Sequence, residues 1–327
     1  MKIVSTVGQV GYGFFSQSVI QTLSYFDIFD YPLTREELFY FLWEPKENFT
    51  YAQFLFALEK EIKESLADIV ETQGGYYFFA GKSDCIAKRE RKILYTEEKL
   101  AIAKRAAKKI RYIPFVLSMF VCNQLPVGVK KTSDIDVFIV IRRQYLWFSR
   151  ACITALMIFF RLRRNKKNTE DLICLSFYVT DDHLDLSDIC ISSPDVYQAY
   201  WMRQLIPVYD PDDFHEQIME KNPWVKKYLP NSFFSYTLLD RWKVYDSSLS
   251  RKIKKSLEWI LSFGFGMFLE RVLRSFQKKK MKCNEDNENF RATKNVVISD
   301  TMLKFHENDR KEYFKTEWEK RVHKFLG

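Results

Sequence analysis

Glycine is scarce in this chain, with 10 in 327 residues. Neither GxGxxG nor GxxxxGKS occurs, which excludes the glycine-rich phosphate cradles of dinucleotide-binding and P-loop proteins. Paired cysteines are also missing. The six cysteines and four histidines are scattered with no CxxC among them, which argues against a zinc site and against a disulfide framework. Buried free thiols in a reducing compartment are the expectation. No apolar run approaches the roughly 18 residues of a membrane-crossing helix. Ala151–Phe160 is too short, and Ser256–Leu273 carries Glu258, Glu270 and Arg271. The N-terminus lacks a basic region followed by an apolar core. These absences predict a cytoplasmic protein with no transmembrane segment.

What is abundant is apolar and aromatic. Hydrophobic residues make up 47% of the chain and aromatic residues 17%, with 29 phenylalanines, ample for two or three packed domains. The net charge of +9 suits an anionic partner such as a nucleotide, RNA or a lipid surface.

The most informative stretch is Ile113–Ile141, IPFVLSMFVCNQLPVGVKKTSDIDVFIVI. Two short apolar runs rich in β-branched and aromatic residues flank a polar elbow, and both read as buried strands. Asp134 and Asp136 open the second run. On a strand, alternate residues share a face, so the two carboxylates stand roughly 6–7 Å apart on one side. Such a pair is costly to desolvate, and a divalent cation offsets the cost. Mg²⁺ held by one or two carboxylates and substrate phosphates is the natural candidate. The plainer alternative is a pair of strand-edge acids satisfied by backbone N–H groups and by Lys130 or Lys131.

This arrangement resembles the core of the nucleotidyltransferase superfamily, shared by polymerase β and the minimal nucleotidyltransferases. There an apolar strand ends in Gly-Ser, and about ten residues later Asp-x-Asp/Glu opens a second strand. Here Cys122 and Asn123 stand where Gly-Ser is usual, followed by Ser133 and Asp134-Ile135-Asp136. The resemblance implies that Asp134 and Asp136 are the catalytic metal ligands, that Mg²⁺ is the cofactor and an NTP the substrate, and that Asn123 and Ser133 contact the nucleotide. It also implies a third carboxylate on the next strand, Leu172–Thr180. Strict alternation there puts Leu172, Cys174, Ser176, Tyr178 and Thr180 on one face, with Ser176 at the place of the acid. Asp181 and Asp182 follow as a substitute, or as a simple loop cap. In a helix over Tyr145–Leu162, Arg150 is placed either to reach a phosphate or to form a structural salt bridge. In the tail, Lys304 and Arg310 either fold back onto phosphate, alongside His306 and Asp309, or flank a helix capped by Asn308.

The flanking regions complete the expected layout. A helical stripe over Ser18–Phe29 precedes two capping boxes, Thr34–Glu37 and Thr50–Gln53. A hairpin over Ala67–Phe79 with a Gln73-Gly74-Gly75 turn then completes a winged helix. Its third helix mixes Glu59, Glu61 and Glu64 with Lys60 and Lys63, which argues against DNA and for a protein-contact role. Ser83–Arg111 reads as a basic helix, either a solvated connector or a wall steering a polyanion. Lys252–Gln277 reads as one long helix, better suited to the core of a helical domain than to an anionic membrane surface.

The expected fold is α/β of the α+β kind. A winged-helix-like domain (1–82), a basic linker helix (83–111), a nucleotidyltransferase-like mixed sheet (112–210) and a helical C-terminal region (211–327) follow in order. The expected activity is Mg²⁺-dependent transfer of a nucleoside monophosphate to an acceptor hydroxyl on RNA, a protein or another acceptor. The alternatives are a catalytically silent nucleotide- or RNA-binding protein and a protein-interaction scaffold.

Overall fold

Two threonines start the N-terminal fold. Helix α1 (Phe14–Asp27) leads through the short strand β1 (Leu33–Thr34) into α2 (Arg35–Tyr40) and α3 (Tyr51–Lys63). At α2 the Glu37 N–H donates to Thr34 Oγ1 at 3.2 Å and the Thr34 N–H donates to Glu37 Oε2 at 2.9 Å. Thr50 and Gln53 repeat this exchange at α3, so both expected capping boxes are formed. Strands β2 (Val70–Gln73) and β3 (Tyr76–Phe79) follow. The hairpin begins three residues later than the sequence suggests, because Ala67 and Ile69 are held in turns by the Glu64 and Leu66 carbonyls, while Gly74 and Gly75, both with positive φ, supply the turn between the strands. β1 pairs with β3, giving a small sheet in the order β1-β3-β2. The structure is a computed structural model that describes residues 13–122, 127–165, 168–233, 240–285, 296–305 and 310–327.

Helix α4 (Asp84–Ile110) is not a solvated connector along its whole length. Its stripe Leu100, Ala103, Ala106, Ala107 and Ile110 is buried with the central sheet. That sheet is built from β4 (Val116–Val121), β5 (Ile135–Ile141), β6 (Ile173–Thr180), β7 (Ile206–Tyr209), β8 (Val296–Ile298) and β9 (Met302–Phe305). The order is β7-β4-β5-β6-β9-β8, with β5 and β6 parallel and every other neighbouring pair antiparallel. Helix α5 (Leu146–Phe159) crosses between β5 and β6. With α4 it covers the face that carries Val137, Ile139 and Tyr178. The other face carries Phe120, Phe138, Val140 and Phe177, and packs with α6 (Val196–Arg203) and the N-terminal helices in one continuous core.

The C-terminal third does not form a unit of its own. Helices α7 (Phe214–Lys221) and α8 (Trp224–Tyr228) are separated at Pro223. β8 and β9 extend the central sheet, and α11 (Lys311–Leu326) returns to α1, where Trp318 Nε1 donates to the Gln21 carbonyl at 2.9 Å. The single helix expected over 252–277 is two helices, α9 (Ser248–Ser262) and α10 (Phe265–Glu285). Gly264 adopts φ +47° at the break, and a Cβ on Gly266 would stand 2.0 Å from the Leu261 carbonyl oxygen, so the close turn needs glycine at both places. The expectation of a buried core helix also fails here, since most of the apolar side chains of α9 and α10 are exposed. The chain is thus a mixed α/β protein with two sheets. Among the described residues no helix is long and apolar enough to cross a membrane.

Candidate functional site

Asp134 and Asp136 lie where β5 begins beside the start of β6. The Ile135 N–H donates to the Leu172 carbonyl at 2.9 Å and the Asp171 N–H to the Ser133 carbonyl at 3.3 Å, which locks the two strand entrances together. Asp136 sits on the Phe138 and Val140 face and pairs across the ladder with Cys174. One ligand atom from each of Asp134, Asp136 and Cys174 falls within 4.8 Å of the others. A bulge between the pairs Asp136/Cys174 and Phe138/Phe177 changes the expected alternation. Cys174 and Ser176 keep the Asp136 side, while Tyr178 turns to the opposite core. Ser176 Oγ donates to Asp136 Oδ1 at 3.2 Å.

Two carboxylates within a few ångströms of each other are the kind of oxygen ligands that hard divalent cations take. The thiol contributes less. Burial, reinforced by Asp136, pushes the Cys174 thiol far above its ordinary range, and a sulfur ligand suits a hard cation less well than an oxygen. The guanidinium of Arg164 bonds Asp134 Oδ2. Arg164 is held there because its N–H donates to the Ile173 carbonyl at 3.0 Å and its neighbour Arg163 forms a bridge to Ile173.

The elbow before the aspartates is anchored from below by Lys99. This lysine is fully buried on α4. Its ammonium donates to the carbonyls of Ser133 at 2.7 Å and Lys131 at 3.1 Å and pairs with Asp171 Oδ1 at 2.7 Å. Ser133 itself closes the turn, its Oγ accepting the Lys130 N–H at 2.9 Å. The Ser133 hydroxyl therefore serves the elbow, and Lys130 or Lys131 makes no ion pair with the aspartates among the described residues.

A cavity of about 530 Å³ opens on the same face of the sheet, within the size range of small-molecule sites. Phe138, Phe177 and Lys304 form one rung across β5, β6 and β9, about 7 Å along the strand from Asp136. Phe177, Lys304 and Lys130 line the cavity with Lys92, Arg310 and Lys311, the last paired with Asp195 at 3.9 Å, and among the described residues the acid in the wall is Asp30. The aspartates are beside this cavity and not in its wall. Burial pushes the Lys92 ammonium down to about 8, and its protons are directed to the Phe29 and Val127 carbonyls.

The sequence-derived candidates thus separate into groups. Asp134, Asp136 and Ser133 come together at the strand entrance, and Lys304 and Arg310 come together in the cavity wall. Arg150 is on the other face of the sheet, bonded to Gln277 Oε1 and lying 5.0 Å from the Phe305 ring, so it is not brought to the aspartates. Asp181 binds the Arg143 N–H at the far end of β6, roughly 20 Å along the strand from Cys174. Neither it nor Asp182 replaces the missing acid. Asn123, His306, Asn308 and Asp309 lie outside the described residues. Arg164 and Lys92 were hidden within basic runs, and Lys99 follows Glu97 and Glu98. Only Lys99 left a trace, a lysine on the stripe continued by Ala103, Ala106 and Ile110.

No family model, no curated protein and no solved structure matches the chain.

Proposed function

We propose that the chain is a nucleotidyltransferase-like protein that binds a nucleoside triphosphate with Mg²⁺ and transfers the nucleoside monophosphate to an acceptor hydroxyl. The observation that carries this reading is the carboxylate pair of Asp134 and Asp136, set at the mouth of two parallel strands beside a cavity with five cationic side chains. Bound between these carboxylates, Mg²⁺ would neutralise charge on the phosphates. Ser176 orients Asp136 through its hydroxyl. Lys99 fixes the elbow that aims Asp134. The cationic wall attracts and orients the anionic part of the ligand. The N-terminal helices and hairpin are winged-helix-like in this reading and serve as a protein-contact module.

Calorimetric titration of ATP, GTP, CTP and UTP with Mg²⁺ tests the proposal. Wild type is expected to bind at least one of them in a metal-dependent way, and Asp134→Asn/Asp136→Asn to lose that binding. If wild type binds none of the four, the reading fails.

A pH series adds a second check. Lys92 carries its charge below about 8 and loses it above. Affinity for an anion in the cavity is therefore expected to hold at pH 7 and to fall as pH rises past about 8. Lys92→Met should flatten that part of the profile.

A second reading is nucleotide or RNA binding without turnover, and Ser176 and Cys174 favour it. They occupy the side of β6 where a general base would have to stand, and neither is an acid. Pyrophosphate release separates the two readings, since binding without release supports the silent one.

A further inference from the structure

We propose that the outer face of the α9–α10 hairpin docks on the surface of an anionic lipid bilayer. Helix α9 exposes Leu249, Ile253, Leu257 and Ile260 along one stripe. Helix α10 exposes Phe265, Phe268, Val272 and Phe276 along another. Trp259 and Phe263, both exposed and in edge-to-face contact, stand between them near the turn. Each helix rests on the same small core along the side next to its stripe: Leu261, Leu269 and Leu273 pack with Phe115 and Phe148. The two stripes themselves are left uncovered. Apolar exposure on this scale marks an interaction surface.

The charges identify the occupant. Between Ser248 and Met281 the acids are Glu258 and Glu270, and both face inward. Glu258 accepts the Phe115 N–H at 2.8 Å, and Glu270 accepts the Trp147 and Phe148 N–H groups at 2.9 and 2.7 Å. The exposed charges of this segment are cationic: Arg251, Lys252, Lys255, Arg271, Lys279 and Lys280, besides Arg274, which Asp300 engages. Aromatic and aliphatic side chains bordered by cations, with no exposed acid between Ser248 and Met281, match the layered chemistry of an anionic bilayer, apolar below and negative at the headgroups. A second copy of this chain fits less well, because a two-fold contact through this face would bring the same cations together. The inference is independent of the nucleotide reading.

Co-sedimentation of the full chain with vesicles tests it, using phosphatidylcholine alone and phosphatidylcholine mixed with phosphatidylserine. Binding is expected to the mixed vesicles, weakening with added salt. Ile260→Ser/Phe268→Ser alters only exposed side chains and is expected to lower the partition constant about ten-fold or more. Lys252→Ala/Lys255→Ala is expected to lower it on the order of twenty-fold on the mixed vesicles. Unchanged circular dichroism keeps either loss from being attributed to unfolding. Three results would overturn the proposal: equal binding to both vesicle types, unchanged binding in both variants, or a wild-type dimer in sedimentation that Ile260→Ser/Phe268→Ser dissociates.

Discussion

Lys99→Met is expected to lower the stability of the protein by about 2 kcal/mol, because two part-buried carbonyls lose their ammonium donor and an ion pair is weakened. The carbonyls are those of Lys131 and Ser133, and the ion pair is with Asp171. Methionine matches the length of the side chain, so the loss does not come from a cavity. Asp171 is 42% exposed and can be rehydrated, which keeps the cost below that of a fully buried charge. The functional effect should exceed the stability effect. The elbow from Lys130 to Ser133 positions Asp134, and without its anchor the carboxylate pair loses its spacing. Urea unfolding monitored by circular dichroism gives the first quantity, and calorimetry with Mg²⁺ and nucleotide gives the second. A midpoint shift worth less than about 1 kcal/mol would show that Lys99 only fills space.

Local signals in the sequence carried the N-terminal helices and the strands around the aspartates. Thr34 and Thr50 each formed the capping box that their spacing implied. The apolar runs before and after the elbow became β4 and β5. What was not legible depends on register and on distant partners. The bulge in β6 changes which residues share a face with Asp136, and no composition rule announces a bulge. Arg164 lies in the basic run RLRRNKK, and the hydrogen bond of its N–H to the Ile173 carbonyl, beside the bridge of Arg163, brings it to Asp134. Arg150 looked available on its helix, yet the crossover places that helix on the far face of the sheet, with Gln277 as its partner. The five cations of the cavity come from four separate parts of the chain. Their convergence is a product of tertiary packing and is invisible to any local window.

Ser176→Asp supplies a test in which the sign of the effect depends on the metal. Ser176 is 5% exposed, and its hydroxyl lies 3.2 Å from Asp136 Oδ1. A third carboxylate there faces two others with one guanidinium, that of Arg164, close by. Without a divalent cation the substitution is expected to cost about 3 kcal/mol or more, the order found for an uncompensated buried charge. With Mg²⁺ the same group becomes a ligand. Binding to the folded state alone then returns about 2.7 kcal/mol at a metal concentration one hundred times the dissociation constant. Thermal unfolding with and without Mg²⁺ should therefore show a low melting temperature that the metal largely restores. Wild type, with only two carboxylates, should respond more weakly. Ser176→Asn is the control, because it adds similar volume without charge. Its melting temperature should not depend on Mg²⁺ more than that of wild type. If Ser176→Asp is equally unstable with and without the metal, Asp134 and Asp136 do not form a cation site, and the transfer reading loses its chemical centre.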